Sequence, residues 1–150
     1  MKQEDKELLL QDLSARLTYD VKVYVKNWSK LDRKYYEGVY TVESIHPSLN
    51  TVLVYSDKGS VEVIVGYDDY EIKPYLFPLS SMTEEQQKYI TDRWGINENF
   101  DFEIDPNWGK YFVDLGDAVA FIEWLNKNNF DYRGLIPKDL AEDATGLNIY

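Results

Sequence analysis

The sequence contains no cysteine, a single histidine and no long apolar run, and each shortage excludes a class of protein. Without cysteine there are no disulfides, thiolate metal sites or cysteine nucleophiles, so packing has to stabilise the fold. A membrane-spanning helix needs about 18 apolar residues in a row, and no such window occurs. The opening MKQEDKELLLQDL has acids where a secretory signal needs basic and then apolar residues. We therefore expect a cytoplasmic protein that binds no membrane.

Basic residues are also scarce, because 16 lysines and arginines stand against 27 acids and give a net charge of −11. The imbalance is concentrated in residues 81–150, where the net charge is −8. Such a surface repels phosphate backbones over a Debye length of about 8 Å at physiological salt. We therefore expect no direct binding of nucleic acid.

Motifs of common catalytic sites are missing as well. None of the eight glycines belongs to a phosphate-binding or dinucleotide-binding loop. His46 lies in a predicted turn, and no glycine-framed nucleophile elbow surrounds Ser44 or Ser48. We expect no catalytic residue, no metal site and no cofactor. The many acids offer numerous carboxylate pairs, so a carboxylate-dependent enzyme of unknown class stays open as an alternative.

Hydrophobic periodicity predicts an N-terminal helix followed by strands. Leucines at 9, 10, 13 and 17 stripe one face of a helix over residues 4–17. Strict alternation in DVKVYVKNW predicts a half-buried strand, and four more short strands follow in EGVYTVESI, NTVLVYS, SVEVIVGY and YEIKPYLF. Pro74 and Pro78 limit the last strand, because proline cannot donate to a sheet. Five such strands suit a small antiparallel sheet or a partly open barrel.

The second half reads as helix, hairpin and two helices. Thr83 or Ser81 caps a helix that ends at Gly95. NFDFEIDPNWGKYFVDL predicts a hairpin with Phe100, Phe102 and Ile104 on one face. Asp117 caps the next helix, whose apolar face holds Ala118, Phe121, Ile122 and Leu125. Pro137 starts a last short helix, KDLAEDA.

These elements predict an α+β fold with three parts. Residues 1–18 form a helix that packs on the sheet, residues 19–79 form the small barrel lobe, and residues 80–150 form an α+β C-terminal lobe. The whole chain is also short enough to be one compact domain.

Aromatic residues are the candidates for binding. Thirteen tyrosines and four tryptophans are many for this length, and exposed aromatic patches usually mark interfaces. We predict a partner-binding surface at Trp28, Tyr35, Tyr36, Tyr67 and Tyr70 in and beside the strand lobe. Tyrosines of small barrels also fill the core and form cross-strand pairs, which is the structural alternative.

An acidic row is the second candidate surface. In a strand, Asp101, Glu103 and Asp105 would place three carboxylates about 7 Å apart on one face. As a calcium loop the segment fails, because Pro106 stands where glycine is needed and Phe112 where a glutamate belongs. The row could imitate the charges of a nucleic-acid strand, and a solvated hairpin face explains the same pattern.

The stretch FDYRGLIPKDLAEDA contains the third candidate, Arg133. Arginine grips carboxylates bidentately, so Arg133 suits recognition of a partner. Each neighbour also has a packing role: Phe130 and Tyr132 under the preceding helix, Gly134 in a turn, and Leu135 returning to the core. We favour the interpretation that this stretch fastens the chain end to the fold.

Two segments carry a resemblance to a family. EIKPYLFPLSSMTEEQQ and FIEWLNKNNFDYRGLIPKDLAEDATG resemble short uncharacterised proteins of gut Bacteroides and their phages or mobile elements, and KELLLQDLSARLTYDVKV is similar to their start. Pro137 departs from the glutamate that follows DYRGLI in those proteins. The resemblance implies a bacterial or phage cytoplasmic accessory protein and supplies no activity.

The function that these observations favour is a non-enzymatic module that binds another protein. The surplus of aromatic residues and the lack of a catalytic motif support it. One alternative is an acidic decoy that occupies a nucleic-acid-binding enzyme, and the other is the carboxylate-dependent enzyme.

Overall fold

The computed structural model describes residues 1–29, 33–100, 104–105, 109–110 and 115–150. The helices are α1 (Gln3–Arg16), α2 (Glu84–Trp94) and α3 (Leu115–Lys127). The strands are β1 (Lys22–Ser29), β2 (Lys34–His46), β3 (Thr51–Ser56), β4 (Gly59–Ile64), β5 (Tyr70–Leu76), β6 (Ile104–Asp105), β7 (Gly109–Lys110) and β8 (Glu142–Asp143). The predicted α+β class is confirmed. Within the described ranges, no helix combines the length and the apolar character needed to cross a bilayer.

Six strands form one open sheet in the order β4-β3-β2-β1-β5-β8, antiparallel except at the β5–β8 pair. Successive side chains of a strand point to opposite faces. In β1, Val23 and Val25 are fully buried in the core, whereas Lys22, Tyr24 and Lys26 lie on the outer face. The alternation that predicted this strand is therefore confirmed.

The antiparallel part of the sheet is strongly curved. β4 and β5 lie at opposite ends of the five antiparallel strands, yet only residues 65–69 connect them. This connection is compact, because Tyr67 donates its N–H to the carbonyl oxygen of Ile64 and Tyr70 donates to that of Tyr67. A flat sheet would separate the two strands by four spacings of about 4.8 Å. The sheet must bend so that β4 approaches β5, and the two strands contact each other.

The sixth strand, β8, was not predicted and comes from the end of the chain. It pairs in parallel with β5 at Tyr75 and Leu76 only. Pro74, which has no N–H to donate, is placed just before this short pairing and opposite Val23 of β1. Its position where β5 has no outer partner among the described strands agrees with the rule for proline in sheets.

The last helix predicted at 138–144 is wrong. A single 3₁₀ turn forms at Ile136–Lys138, with Pro137 at its start, and Asp139 ends it in the left-handed region at a φ of 60°. Ala144 then donates its N–H to the carbonyl oxygen of Leu76. Pairing with the open edge of β5 outweighs the helix propensity of this stretch. The C-terminal part therefore has one helix, α3, after the hairpin, followed by β8.

The main core lies between α1 and the sheet. The leucine stripe of α1 is confirmed, since Leu9, Leu10 and Leu13 are buried and Leu17 packs against the same core. The end of the chain also contributes to this core, through Leu135, Leu140 and Ala141. Residues beyond 130 thus complete the core that residues 19–79 begin.

A second, smaller core joins α2 and α3. Ile90, Trp94 and Ile96 are buried there, and Phe121 and Trp124 pack against them. Four contacts link the rings of Tyr89, Trp94, Phe121 and Trp124, with centroid separations of 5.3–6.3 Å, and two of the four involve Tyr89. Trp124 also stacks on Phe130 at 5.7 Å, so the second core continues into the segment that leads to the first.

The ends of α2 follow the predicted signals. Thr83 accepts a hydrogen bond from the Gln86 N–H, and the Gln86 side chain accepts one from the Thr83 N–H. This reciprocal capping box satisfies two donors that a helix start leaves unpaired. Gly95 ends the helix at a φ of 65°, a left-handed conformation that glycine adopts without strain.

The predicted start and face of α3 need correction. The helix begins at Leu115, so Asp117 lies inside its first turn and is not the cap. Leu125 is buried as predicted, but Ile122 is 42% exposed. The helix is rotated from the predicted face because the larger Trp124 side chain packs into the second core instead.

The predicted hairpin forms where the chain is described. Ile104 pairs with Lys110 and Asp105 pairs with Gly109 in an antiparallel register. Phe102, which was predicted to share a face with Ile104, lies outside the described residues.

A buried ion pair on α1 fastens the helix to the distant end of the chain. Asp12 and Arg16 are both fully buried. Nε of Arg16 donates to Oδ2 of Asp12 at 2.8 Å, and Nη2 donates to Oδ1 at 3.0 Å. The same guanidinium donates to the carbonyl oxygens of Phe130 at 2.8 Å and Asn126 at 3.4 Å. Buried charges are tolerated only when such partners compensate for lost water.

Tyr150 fastens the final residues over the sheet. Its hydroxyl donates to the carbonyl oxygen of Tyr75 at 2.8 Å and accepts the N–H of Lys22 at 3.2 Å. Burial of the hydroxyl raises the pKa of Tyr150 to about 12. The phenol therefore stays protonated in the folded protein at a pH that ionises it in the unfolded chain.

We predict that Asp12→Ala lowers the free energy of unfolding by about 3–5 kcal/mol, because Arg16 would remain buried without its counter-ion. Urea denaturation would measure the loss, with Gln11→Ala on the exposed face of α1 as the matched control. The double variant Asp12→Leu/Arg16→Met should recover part of the loss, since it removes both charges. Equal stability of Asp12→Ala and Gln11→Ala would show that the pair does not fasten the fold.

We predict that Tyr150→Phe destabilises the protein by about 0.5–1.5 kcal/mol at pH 8, the usual net value of a hydrogen bond. Since the folded pKa is raised, this contribution is complete below about pH 10 and is lost as the pH rises towards 12. Urea titrations at pH 8, 10 and 11 should therefore give free energies of unfolding for the wild type and Tyr150→Phe that converge as the pH rises. Tyr67→Phe, at an exposed side chain, is the control at pH 8. A difference in the free energy of unfolding that widens as the pH rises would contradict the raised pKa of Tyr150.

Candidate functional site

Strand register brings three of the five predicted aromatic residues to one end of the sheet. Trp28 of β1 is directly opposite Tyr35 of β2. Tyr70, the first residue of β5, is opposite Asn27 of β1, so its strand position is at the same end but its ring packs against the main core. Because the three strands are neighbours, residues separated by more than 40 positions in sequence come together.

Trp28 and Tyr35 form a cross-strand aromatic pair. Their ring centroids are 4.6 Å apart and the rings are tilted by 52°. A pair of this kind stabilises a hairpin by about 0.5–1.5 kcal/mol, so part of its role is structural. Tyr35 nevertheless remains 61% exposed. Its ring offers contact area that the fold leaves open.

The three aromatic residues line an open cleft of about 230 Å³, which we name the aromatic cleft. Its lining consists of Trp28, Tyr35 and Tyr70 together with the charged residues Lys26, Asp68, Asp69 and Glu71. The backbone closes one side, because the N–H of Trp28 donates to the carbonyl oxygen of Asp69 at 3.1 Å.

Charges around the aromatic cleft are predominantly negative, with three acids and one base in the lining. Glu71 lies 3.2 Å from Nζ of Lys73, whereas Asp68 has no ion-pair partner among the described residues. Burial alone would lower the pKa of Lys73, but hydrogen bonds with Asp139, Glu71 and Glu142 raise it above its ordinary value. Lys73 therefore stays charged and neutralises part of Glu71.

Tyr24, farther along β1, engages another nearby carboxylate. Its hydroxyl donates to Oε1 of Glu37 at 2.8 Å. Burial raises the pKa of Tyr24 to about 12, and the hydrogen bond to Glu37 adds to the shift. Glu37 thus has a partner within the sheet and lies outside the lining of the cleft.

The other two predicted aromatic residues lie outside the cleft. Tyr36 neighbours Tyr35 in β2 and so points to the opposite face, where Nζ of Lys34 lies 5.8 Å from its ring centroid. Tyr67 is in the turn before β5 and is 65% exposed. The predicted surface is therefore divided between two faces and a turn.

Arg133 lies far from these aromatic residues, beside the buried pair of α1. Its Nε is 3.5 Å from Oδ1 of Asp12, and its side chain is 22% exposed. Its guanidinium carbon lies 5.0 Å from the ring centroid of Tyr132, whose other cationic neighbour, Arg16, is at 5.6 Å. These contacts are all internal to the chain.

The residues around Arg133 form a tightly bonded turn. Both carboxylate oxygens of Asp131 accept backbone N–H groups at 2.8 Å, from Leu135 and Ile136. Gly134 has a φ of 72°, which favours glycine. Leu135 is fully buried in the main core. These hydrogen bonds, the turn at Gly134 and the burial of Leu135 agree with the interpretation that the segment fastens the end of the chain to the fold.

The acidic row falls largely outside the described part of the chain. Asp101 and Glu103 are outside it, and Asp105 is described through its backbone pairing with Gly109. Across the described ranges, no three histidine, cysteine, aspartate or glutamate side chains cluster as metal ligands. His46 is exposed at the end of β2, before the turn that the sequence predicts.

A larger open groove of about 500 Å³ runs along α2. Its lining alternates apolar residues such as Met82 and Phe100 with polar ones such as Thr83, Gln87 and Glu98. Phe100 is the last described residue before a gap. The groove contains none of the predicted partner-binding residues.

Sequence reasoning missed the charged half of the aromatic cleft. Asp68 and Asp69 precede Tyr70 in GYDDY, which the sequence indicates only as a turn, and Glu71 follows Tyr70 in the predicted strand YEIKPYLF. Lys26 is two residues before Trp28, so strand alternation already placed the two side chains on one face. These two signals, taken together, could have identified the charged lining.

Comparison with protein-family models, with curated proteins and with solved structures finds no match to this chain.

We predict that Arg133→Ala lowers the free energy of unfolding by about 1–2 kcal/mol, because it removes a charged partner of Asp12 and a cation–ring contact. Each kcal/mol corresponds to a fall in Tm of roughly 2–4 °C for a domain of this size. Calorimetry would measure Tm. The matched control is Arg93→Ala, whose guanidinium also lies over a ring, Trp94, but is 57% exposed. If both variants melt like the wild type, Arg133 does not fasten the segment.

Proposed function

We propose that this chain is a non-enzymatic protein-interaction module that binds a peptide segment of another protein through the aromatic cleft. The observation that carries the proposal is the pairing of Trp28 and Tyr35, from neighbouring strands, in a surface cleft that Tyr70 also borders. Tyr35 is 61% exposed there. Aromatic residues gathered at a surface provide the anchors that dominate the affinity of protein interfaces.

The support beneath the cleft is rigid. β1 pairs with β2 over eight positions and with β5 over five, and both registers are continuous. A binding group held by paired strands loses little conformational freedom when a partner arrives. The aromatic cleft is therefore preorganised for contact, whereas a loop would have to become ordered.

The size of the cleft favours a side chain over a free metabolite. Pockets for drug-sized ligands occupy about 300–1,000 Å³ and enclose most of the ligand. The aromatic cleft has about 230 Å³ and is open to the surface. One side chain of a partner fills a space of this size, while the flanking backbone lies along the outer surface.

Four sequence-based expectations accompany this proposal. A cytoplasmic location is supported by the absence of cysteine. An origin in Bacteroides or its mobile elements rests on the segment resemblance alone. The acidic-decoy alternative is motivated by the net charge of −8 over residues 81–150, which include the row Asp101, Glu103 and Asp105. It stays a prediction, as does the carboxylate-dependent enzyme.

We predict that a random dodecapeptide library displayed on phage yields peptides that bind the immobilised protein through the cleft. Tyr35→Ala should weaken their binding at least tenfold, the loss of about 1.4 kcal/mol expected for an anchor residue. Isothermal titration calorimetry of synthetic copies would measure Kd.

The matched control is Tyr55→Ala, on β3 and 43% exposed but outside the cleft, which should leave Kd unchanged. Urea denaturation of both variants would check that the fold is retained. Absence of enrichment, or peptides that bind wild type and Tyr35→Ala alike, would refute the proposal.

A further inference from the structure

We infer that the aromatic cleft receives a cationic side chain, lysine or arginine, of the partner. The inference rests on the proposed function and specifies its chemistry. The face of an aromatic ring carries negative electrostatic potential, so a cation within about 6 Å of the centroid is attracted to it. The rings of Trp28 and Tyr35 form a pair on the outer face of the sheet. The carboxylates of Asp68 and Glu71 line the same cleft, and rings and carboxylates attract the same kind of ligand.

The charge of the lining selects among possible occupants. Asp68, Asp69 and Glu71 outnumber Lys26. An anionic side chain would meet a like-charged surface. A neutral apolar side chain would remove water from carboxylates without replacing their hydrogen bonds, which is unfavourable. A cation both fits the rings and compensates the acids.

The remaining cation–ring contacts of the chain support this selection. Four such contacts occur among the described residues, on Tyr36, Tyr132 (twice) and Trp94, at 5.0–5.8 Å. None of them involves a ring of the aromatic cleft. Although Lys26 lines the cleft, no cation of the described residues lies over the ring of Trp28 or Tyr35, and Tyr35 is 61% exposed.

The direction in which substitution of Lys26 changes the binding affinity distinguishes a cationic from an anionic occupant. Lys26 lies opposite Glu37 in β2 and Glu71 in β5. If the occupant is a cation, Lys26 opposes it, and Lys26→Gln strengthens binding. If the occupant is an anion, the same substitution weakens binding. A purely structural role of the aromatic pair predicts neither change.

The test uses synthetic pentapeptides of the form acetyl-Gly-Ser-X-Ser-Gly-amide, with X as arginine, lysine, citrulline, norleucine or glutamate. Titration into ¹⁵N-labelled protein would be followed through the indole N–H resonance of Trp28, assigned with Trp28→Phe. We expect saturable shifts with arginine and lysine and much smaller shifts with citrulline, norleucine and glutamate.

Variants then test the electrostatic cause. Lys26→Gln should bind the arginine peptide roughly two- to fivefold more tightly and Asp68→Asn roughly two- to fivefold more weakly, the range of one exposed charge pair. Glu62→Gln, an exposed acid on β4, is the control and should change nothing. A higher salt concentration should weaken binding of the arginine peptide more than binding of the uncharged peptides.

The outcomes separate this inference from the proposed function. If norleucine or glutamate peptides shift the Trp28 resonance as much as arginine, the cationic occupant is wrong while peptide binding at the cleft stands. If no pentapeptide shifts the resonance, the cationic occupant is also overturned, and the phage selection decides the proposed function alone.

Discussion

The buried pair of Asp12 and Arg16 is the interaction on which the arrangement of this fold depends. Two charges without water need full compensation, and Arg16 obtains it from Asp12 on its own helix and from the carbonyl oxygen of Phe130. The backbone around Phe130 bonds in turn to Phe77, just after β5. A short path of hydrogen bonds therefore connects α1 to the strand that begins with Tyr70, and a shift of α1 would break the bonds from Arg16 to the carbonyl oxygens of Phe130 and Asn126.

The aromatic cleft is a consequence of strand order. Trp28 and Tyr35 would meet in any hairpin with this register, but Tyr70 joins them only because β5 pairs with β1 and not with β4, its neighbour in sequence. That order requires the curvature of the sheet, since residues 65–69 must connect strands at its opposite ends. The same short connection contains Asp68 and Asp69, so the curvature places the carboxylates beside the rings.

Local features of the structure could be predicted from the sequence, and long-range features could not. Alternation identified β1 because its two faces differ in burial, and the capping box identified Thr83 because its signal lies within four residues. β8 has no local signal: Glu142 and Asp143 are strand residues only because the edge of β5 is open to them. The pairing of Asp12 with Arg16 at four-residue spacing was visible, but their location on the leucine stripe was overlooked. The aromatic residues of the site were predicted. Its charges were missed because Asp68 and Asp69 lie in a predicted turn, while Lys26 and Glu71 lie in predicted strands and carry no signal of a site by themselves.

The contrast between Tyr132 and the cleft shows how one interaction serves two purposes in this chain. Tyr132 has guanidinium groups on it from both Arg16 and Arg133, and both arginines are ion-paired with Asp12. Each of the two cations there contacts both the aromatic ring and the carboxylate, and these contacts hold the segment against α1. In the aromatic cleft the rings and the carboxylates are present, but the described chain places no cation over the rings. The chain satisfies this combination from its own residues around Tyr132, and this is why we infer that the rings and carboxylates of the aromatic cleft suit a cation of another molecule.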